Sequence, residues 1–247
     1  MPVRFRFGWK PLLAMVLVVA TGIALGQWQW QRGAQKEASL RTAQARGALA
    51  PLTLGKPLPA IDALEYRHVV ARGEFVAGWP LYLDNRPHGG VAGFYVLMPF
   101  KLAGSDQYVA VLRGWAPRDP ADRLRLPPLT TPTGIVAIEG VARRDAGRLL
   151  QLGAPGVPRP GAVLQNLDLP QWAAASGLNL APFIIEQDSV EQDSVEHDSA
   201  IQDGLVRDWP RASSGADKHY GYAFQWYALA ATAFAFFLVT GLRRGAS

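Results

Sequence analysis

Two charge-free apolar stretches, one near each end, decide most of what this chain can become. Residues 11–26 are apolar throughout, and from Tyr220 to Leu242 no side chain carries a charge. A helix rises ~1.5 Å per residue, so about 20 residues match a hydrocarbon core ~30 Å thick. The pattern predicts two transmembrane helices, over residues 11–30 and 218–242, with short tails at 1–10 and 243–247. Arg4, Arg6 and Lys10 precede the first stretch with no acid among them, as in the basic start of a signal peptide. The apolar run is longer than a usual signal core, however, and leads into Trp28 and Trp30 instead of an Ala-x-Ala cleavage site. The reading is therefore a retained span. A mitochondrial presequence would need a longer leader rich in Arg and Ser.

Gly22-Ile23-Ala24-Leu25-Gly26 is a G-x-x-x-G that lets another helix approach closely, and the second stretch offers Ala223, Ala228, Ala230, Ala231, Ala233 and Ala235 as small partners. The two spans are expected to pack on each other. Lys and Arg counts set no orientation. Arg4, Arg6, Lys10, Arg243 and Arg244 lie on the terminal side, against Arg32, Lys36, Arg41, Arg46, Arg207, Arg211 and Lys218 on the other.

Residues 31–217 are long enough for one domain of ordinary size. A polar, Ala-rich helix is expected over residues 31–46, followed by a loop marked by Pro51, Pro57 and Pro59. Short apolar runs then alternate with turn residues. They predict strands at 66–76, 81–84, 94–102, 108–115 and 135–143, a short helix at 169–176 and a final strand pair at 183–186 and 204–209. The fold class is thus a membrane protein whose two transmembrane helices flank an α+β extracytoplasmic domain dominated by an antiparallel β-sheet. Residues 186–200 contain three tandem five-residue units, read as an acidic, mobile surface insertion that deletion should leave without effect on function. One histidine among its flexible carboxylates, His197 beside Asp193 and Asp198, makes a poor metal cage.

With no cysteine, disulfides, thiolate metal sites and a cysteine nucleophile are excluded. The net charge of +5 is spread along the chain without a Lys/Arg-rich run, so no nucleic-acid partner is expected. There is no G-x-S-x-G elbow, P-loop, G-x-G-x-x-G or H-E-x-x-H, and no enzyme is expected. Of the four histidines, His68 reads as a half-exposed sheet residue and His88 as a solvated turn residue. Arg113-Gly114-Trp115 is either a binding edge or an arginine paired at a strand end.

His219 remains. On a helix His219, Tyr222, Ala223 and Trp226 fall at i, i+3, i+4 and i+7 and share one face. The end of the first span and the start of the second meet one membrane surface, so Trp28, Trp30 and Arg32 lie level with His219, Tyr220 and Tyr222. An imidazole there is either an interfacial anchor or a ligand. A flat apolar macrocycle with acidic side arms suits such a cluster, since imidazole ligates iron and Arg32 and helix N–H groups meet carboxylates.

Three ordered motifs carry a resemblance: Leu25-Gly26-x-Trp28-Gln29-x-x-Arg32, Arg113-Gly114-Trp115-x-Pro117 and His219-x-x-Tyr222-Ala223-x-Gln225-Trp226. With Tyr66, Gly73-x-Phe75, Asn85-Arg86 and Gly93-Phe94-Tyr95-Val96, they make nearly the whole chain resemble the surfeit locus protein 1 family of cytochrome c oxidase assembly factors. Met98 before Pro99, Leu112 and the pentapeptide insertion depart from that family's pattern. The resemblance implies an inner-membrane protein of a bacterium with its domain in the periplasm. It implies binding of heme a, with His219 on the iron and Trp28, Arg32, Tyr222 and Trp226 around it. The implied partners are oxidase subunit I, heme a synthase and the lipid bilayer. The alternative is a scaffold that holds nascent oxidase subunits without heme.

Overall fold

The computed structural model describes residues 3–5, 8–122, 125–151, 153–188, 203–209 and 215–244. Residues 189–202, most of the tandem insertion with His197, Asp193 and Asp198, lie outside the described residues. The chain divides into two compact units, Ala43–Pro210 and the pair of segments Met1–Thr42 and Arg211–Ser247.

In chain order the elements are β1 (Val3–Phe5), α1 (Trp9–Gly47), β2 (Leu52–Thr53), α2 (Ile61–Leu64), β3 (His68–Phe75), β4 (Leu81–Leu83) and β5 (Gly93–Leu102). There follow β6 (Tyr108–Pro117), β7 (Val136–Arg143), β8 (Ala162–Leu164), α3 (Leu169–Ser176), β9 (Leu180–Gln187), α4 (Ala216–Gly241) and β10 (Leu242–Arg244).

Five strands of the domain close on themselves. Strand β3 pairs antiparallel with β7 and, through Gly73–Phe75, with β5. β5 pairs antiparallel with β6, β6 runs parallel to β9, and β9 returns antiparallel to β7. The ring β3-β7-β9-β6-β5 is a small barrel, and β2, β4 and β8 extend it as short outer strands. Closure needs a glycine where β3 passes from one neighbour to the other. Gly73 faces Val136 on one side and Leu102 on the other, and a Cβ there would lie 1.9 Å from the Lys101 carbonyl oxygen.

Period-two alternation fills the barrel. Val69, Ala71 and Phe75 of β3, Met98, Phe100 and Leu102 of β5, Val109 and Val111 of β6, Ile138 and Ala142 of β7, and Ala181, Phe183 and Ile185 of β9 form one buried cluster. On the other face Leu97, Ala110, Leu112 and Ile184 pack under β4, β8 and the fully buried Trp172 of α3. Helix α3 has the bounds its sequence predicts. Asp168 caps it by accepting from the Gln171 N–H, and Gly177 ends it at φ 70°.

The domain is β-rich and largely antiparallel, as expected, but β2–β3, β4–β8 and β6–β9 are parallel pairs. The expected pairing of the strand near 183–186 with 204–209 is corrected. β9 is claimed by β6 and β7, whereas residues 203–209 contribute one bridge, Val206 to Trp115. An internal strand with two ladder partners satisfies its backbone fully, so the later segment finds only the end of β6.

In the other unit α1 and α4 are each long and apolar enough to cross a membrane, with 11% of the apolar window of each buried. The remaining residues of each window are half-buried or exposed, as on helices that meet lipid instead of a protein core. The expected 31–46 helix continues α1 without a break. The two helices run antiparallel, and β1 pairs with β10 beyond their far ends.

Candidate functional site

Small residues set the spacing of α1 and α4. Gly22, Gly26 and Gly33 are the buried residues of α1, and Ala216, Ala223 and Ala230 those of α4. A Cβ on Gly26 would lie 2.6 Å from the Tyr227 ring, one on Gly33 2.8 Å from the Tyr220 ring, and one on Gly22 2.9 Å from the Ala230 Cβ. The G-x-x-x-G therefore does what its sequence predicts, with Ala230 against Gly22 and the Tyr227 ring against Gly26, and Gly33 beyond the motif receives the Tyr220 ring in the same way.

That packing brings His219 to α1. Its Nδ1 lies 2.7 Å from Oε1 of Gln29, a half-buried contact across the two helices. The next residue on each helix adds a ring contact, Tyr220 meeting Trp30 with centroids 4.9 Å apart. The end of the apolar stretch of α1 stands level with the start of α4, as the sequence suggested. The other candidates are distributed differently. Trp28 is 48% exposed and holds Arg32 of its own helix over its ring at 5.8 Å, off the face formed by Gly22, Gly26 and Gly33. Tyr222 is 53% exposed, on the flank of α4. Trp226 is half-buried and, with Leu17, Val18, Thr21, Gly22, Leu229 and others, lines an apolar groove of about 540 Å³ between the helices. Gln29 was quoted in a motif but given no role. The signal for it is a polar side chain between two tryptophans at the end of an apolar stretch, level with a lone histidine.

The chemistry this permits is specific. The Gln29 carbonyl can accept from Nδ1–H, which leaves Nε2 bare and able to ligate a metal. Nε2 makes no hydrogen bond among the described residues. Those residues contain no group of three or more His, Asp and Glu able to hold a metal ion. A metal held at His219 must therefore bring most of its ligands with it, and a metalloporphyrin does so.

The motif residues of the domain converge elsewhere. Arg113 continues the inward alternation of Val109 and Val111 and lies over the Phe75 ring, 4.7 Å away. It donates to Asp203 at 2.7 Å, the Thr130 carbonyl at 2.9 Å and Thr131 Oγ1 at 3.1 Å. Burial pushes its pKa below the usual value, and Asp203 opposes that shift. Of the two readings of Arg113, the paired arginine is the one observed. Trp115 donates from Nε1 to the Arg86 carbonyl at 2.6 Å, and Asn85, at φ 59°, turns the chain so that Arg86 is buried over Tyr95. His88 is not a solvated turn residue: the turn folds back through a bridge to Val91 and sets the imidazole half-buried, 5.1 Å from Trp115. His68 is half-exposed as expected, with Nδ1 3.2 Å from Asp188 Oδ2. Burial raises the carboxyls of Asp188 and Glu186, against the opposing effects of His68 and of Arg143.

Comparison with known proteins adds a family. Residues 16–231 match the SURF1 family model. The chain is 29% identical over 154 residues to a SURF1-like protein of Drosophila melanogaster, covering 54% of this chain and 50% of the other. It is 32% identical over 122 residues to Surfeit locus protein 1 of Arabidopsis thaliana, covering 44% and 34%. It is 25% identical over 112 residues to the Cytochrome oxidase assembly protein SHY1 of Saccharomyces cerevisiae, covering 44% and 29%. The chain thus spans half or less of the length of these relatives.

Proposed function

The chain belongs to the SURF1 family, and from that premise we propose that it is a membrane-bound assembly factor for cytochrome c oxidase that takes up heme a at His219 and helps it reach subunit I. The single observation that carries the heme reading is the 2.7 Å contact of His219 Nδ1 with Gln29. Neighbours that hold one imidazole nitrogen by a hydrogen bond direct the other to a metal. A relative named as a cytochrome oxidase assembly protein supports the oxidase as the partner.

Heme a supplies a redox-active iron with four ring nitrogens of its own, so one histidine suffices to hold it. The residues present fit that demand. His219 would hold the iron, and Trp226 and the groove below it offer apolar surface to a hydrocarbon substituent. Arg32 is exposed beside Trp28 and would meet a propionate. Both spans lie in the bacterial inner membrane in this reading, with the β domain in the periplasm and heme a synthase as the donor.

The test is heme per protein in the full chain purified from cells that make heme a. Wild type should carry a Soret band and His219→Ala should lose most of it, because exposed Tyr222 and the aromatic neighbours cannot replace the iron bond. Arg32→Ala should lose less, since one charge-assisted contact contributes roughly 1.5–3 kcal/mol. Normal heme content in His219→Ala would sink the ligand assignment.

A further inference from the structure

We infer that Gln29 is a positioning residue: its side-chain carbonyl fixes His219 as the Nδ1–H tautomer and presents Nε2 outward as the ligating atom. This rests on the heme reading above and goes beyond it by assigning a role to a residue of the other helix. The geometry is direct. Nδ1 and Oε1 are 2.7 Å apart, a short hydrogen bond for a neutral donor and acceptor. Gln29 and His219 are both half-buried, so the bond is shielded from competing water.

The surroundings hold the pair in register. Gly26 and Gly33, one turn to either side of Gln29, are the positions where the Tyr227 and Tyr220 rings close on α1. Tyr220 is further fixed against Trp30. Gln29 therefore meets His219 on a backbone whose spacing is set by four packed residues, so the imidazole has one preferred orientation. A carbonyl acceptor suits this task because it takes the Nδ1 proton without removing it, leaving a neutral imidazole whose Nε2 lone pair can bind iron. Losing a hydrogen-bond partner of this kind commonly weakens metal binding by 10–100-fold, roughly, while the ligand itself stays in place.

Two measurements on the full chain in detergent test the role. Nitrogen-15 NMR of the heme-free, histidine-labelled protein, with the His219→Ala difference as assignment, should show His219 as the Nδ1–H tautomer. In Gln29→Leu the preference should be lost at unchanged melting temperature. Hemin serves as the probe for the second measurement. Gln29→Leu should bind hemin roughly ten-fold or more weakly and lower the ferrous iron–histidine stretching frequency, and Gln29→Glu, which keeps an acceptor, should restore both. An Nε2–H tautomer in wild type overturns the inference. So does a Gln29→Leu protein with the same hemin affinity and iron–histidine frequency as wild type, and that result leaves the heme reading standing. Wild type that binds neither hemin nor heme a overturns the heme reading itself, and the positioning role falls with it.

Discussion

The Arg113 guanidinium and the Asp203 carboxylate lie 2.7 Å apart with side chains 0% and 1% exposed, so an ion pair closes one end of the barrel core. Asp203 also accepts from Arg207 at 2.5 Å and is the only acidic partner of both arginines among the described residues. Removing one member of a buried pair strands the other charge, at a cost of about 3–5 kcal/mol. Asp203→Ala, which strands two arginines, should therefore lower the melting temperature of the purified chain more than Arg207→Ala does. Arg113→Met combined with Asp203→Leu should recover part of the loss. Equal melting temperatures for Asp203→Ala and wild type would show that the pair contributes little.

Helix spacing gives a second prediction. A leucine at position 26 would drive its Cβ into the Tyr227 ring, now 2.6 Å from the ideal Cβ position. Overpacking of this kind costs about 1–3 kcal/mol. Gly26→Leu should lower thermal stability in detergent, and Tyr227→Ala in the same chain should restore most of it by vacating the space. A double variant no better than Gly26→Leu would mean that the helices do not meet there.

A third concerns pH. Burial raises Glu186 above its ordinary value of 4.5, outweighing Arg143 3.4 Å away. The folded chain then holds a proton that the unfolded chain has released, in the window from that ordinary value up to the raised one. Stability falls as pH rises through the window, and this contribution is level beyond it. Glu186→Gln should remove that decline. The melting-temperature difference, variant minus wild type, should grow from pH 4 to pH 7; a difference that shrinks over the same range contradicts the direction of the shift.

Membrane placement is a fourth. Under the proposed placement, with α1 and α4 as spans and the domain in the periplasm, alkaline phosphatase inserted in the β6–β7 connection at residues 118–135 should be active. Fused after Arg244 it should be inactive, with a cytoplasmic reporter giving the opposite pair. Activity at the terminus alone would invert the orientation.

Much of this fold could be read from the residues because its signals are local. Both long helices, α3 and strands β3 to β7 follow from charge-free runs, caps and alternation. Barrel closure was not readable. It depends on Gly73–Phe75 meeting Lys101 and its neighbours and on β6 accepting β9 in parallel, contacts between segments far apart in sequence. Ala162–Leu164 is too short for any alternation to identify β8. In the site, His219 stood out because an ionisable side chain at a membrane boundary is conspicuous. Gln29 did not, because glutamine at the edge of an apolar stretch is common and its meaning comes only from what lies opposite. Depth and the resemblance both group Trp28 and Arg32 with His219, but depth says nothing about which side of a helix a residue occupies.

The place of β9 in the ring has a consequence for how the protein is made. Chains leave the ribosome N-terminus first, and β9 is the last of the five barrel strands to emerge. Until residue 187 is synthesised, β7 and β6 stand at the ends of an open four-stranded arrangement, each with an unpaired edge. Val109, Val111, Ile138 and Ala142 have no lid over that gap. The barrel therefore cannot close until β9, near the end of the domain, has been made. A translational pause just before β9 would prolong the sticky open state, whereas one just after it would give the barrel time to shut.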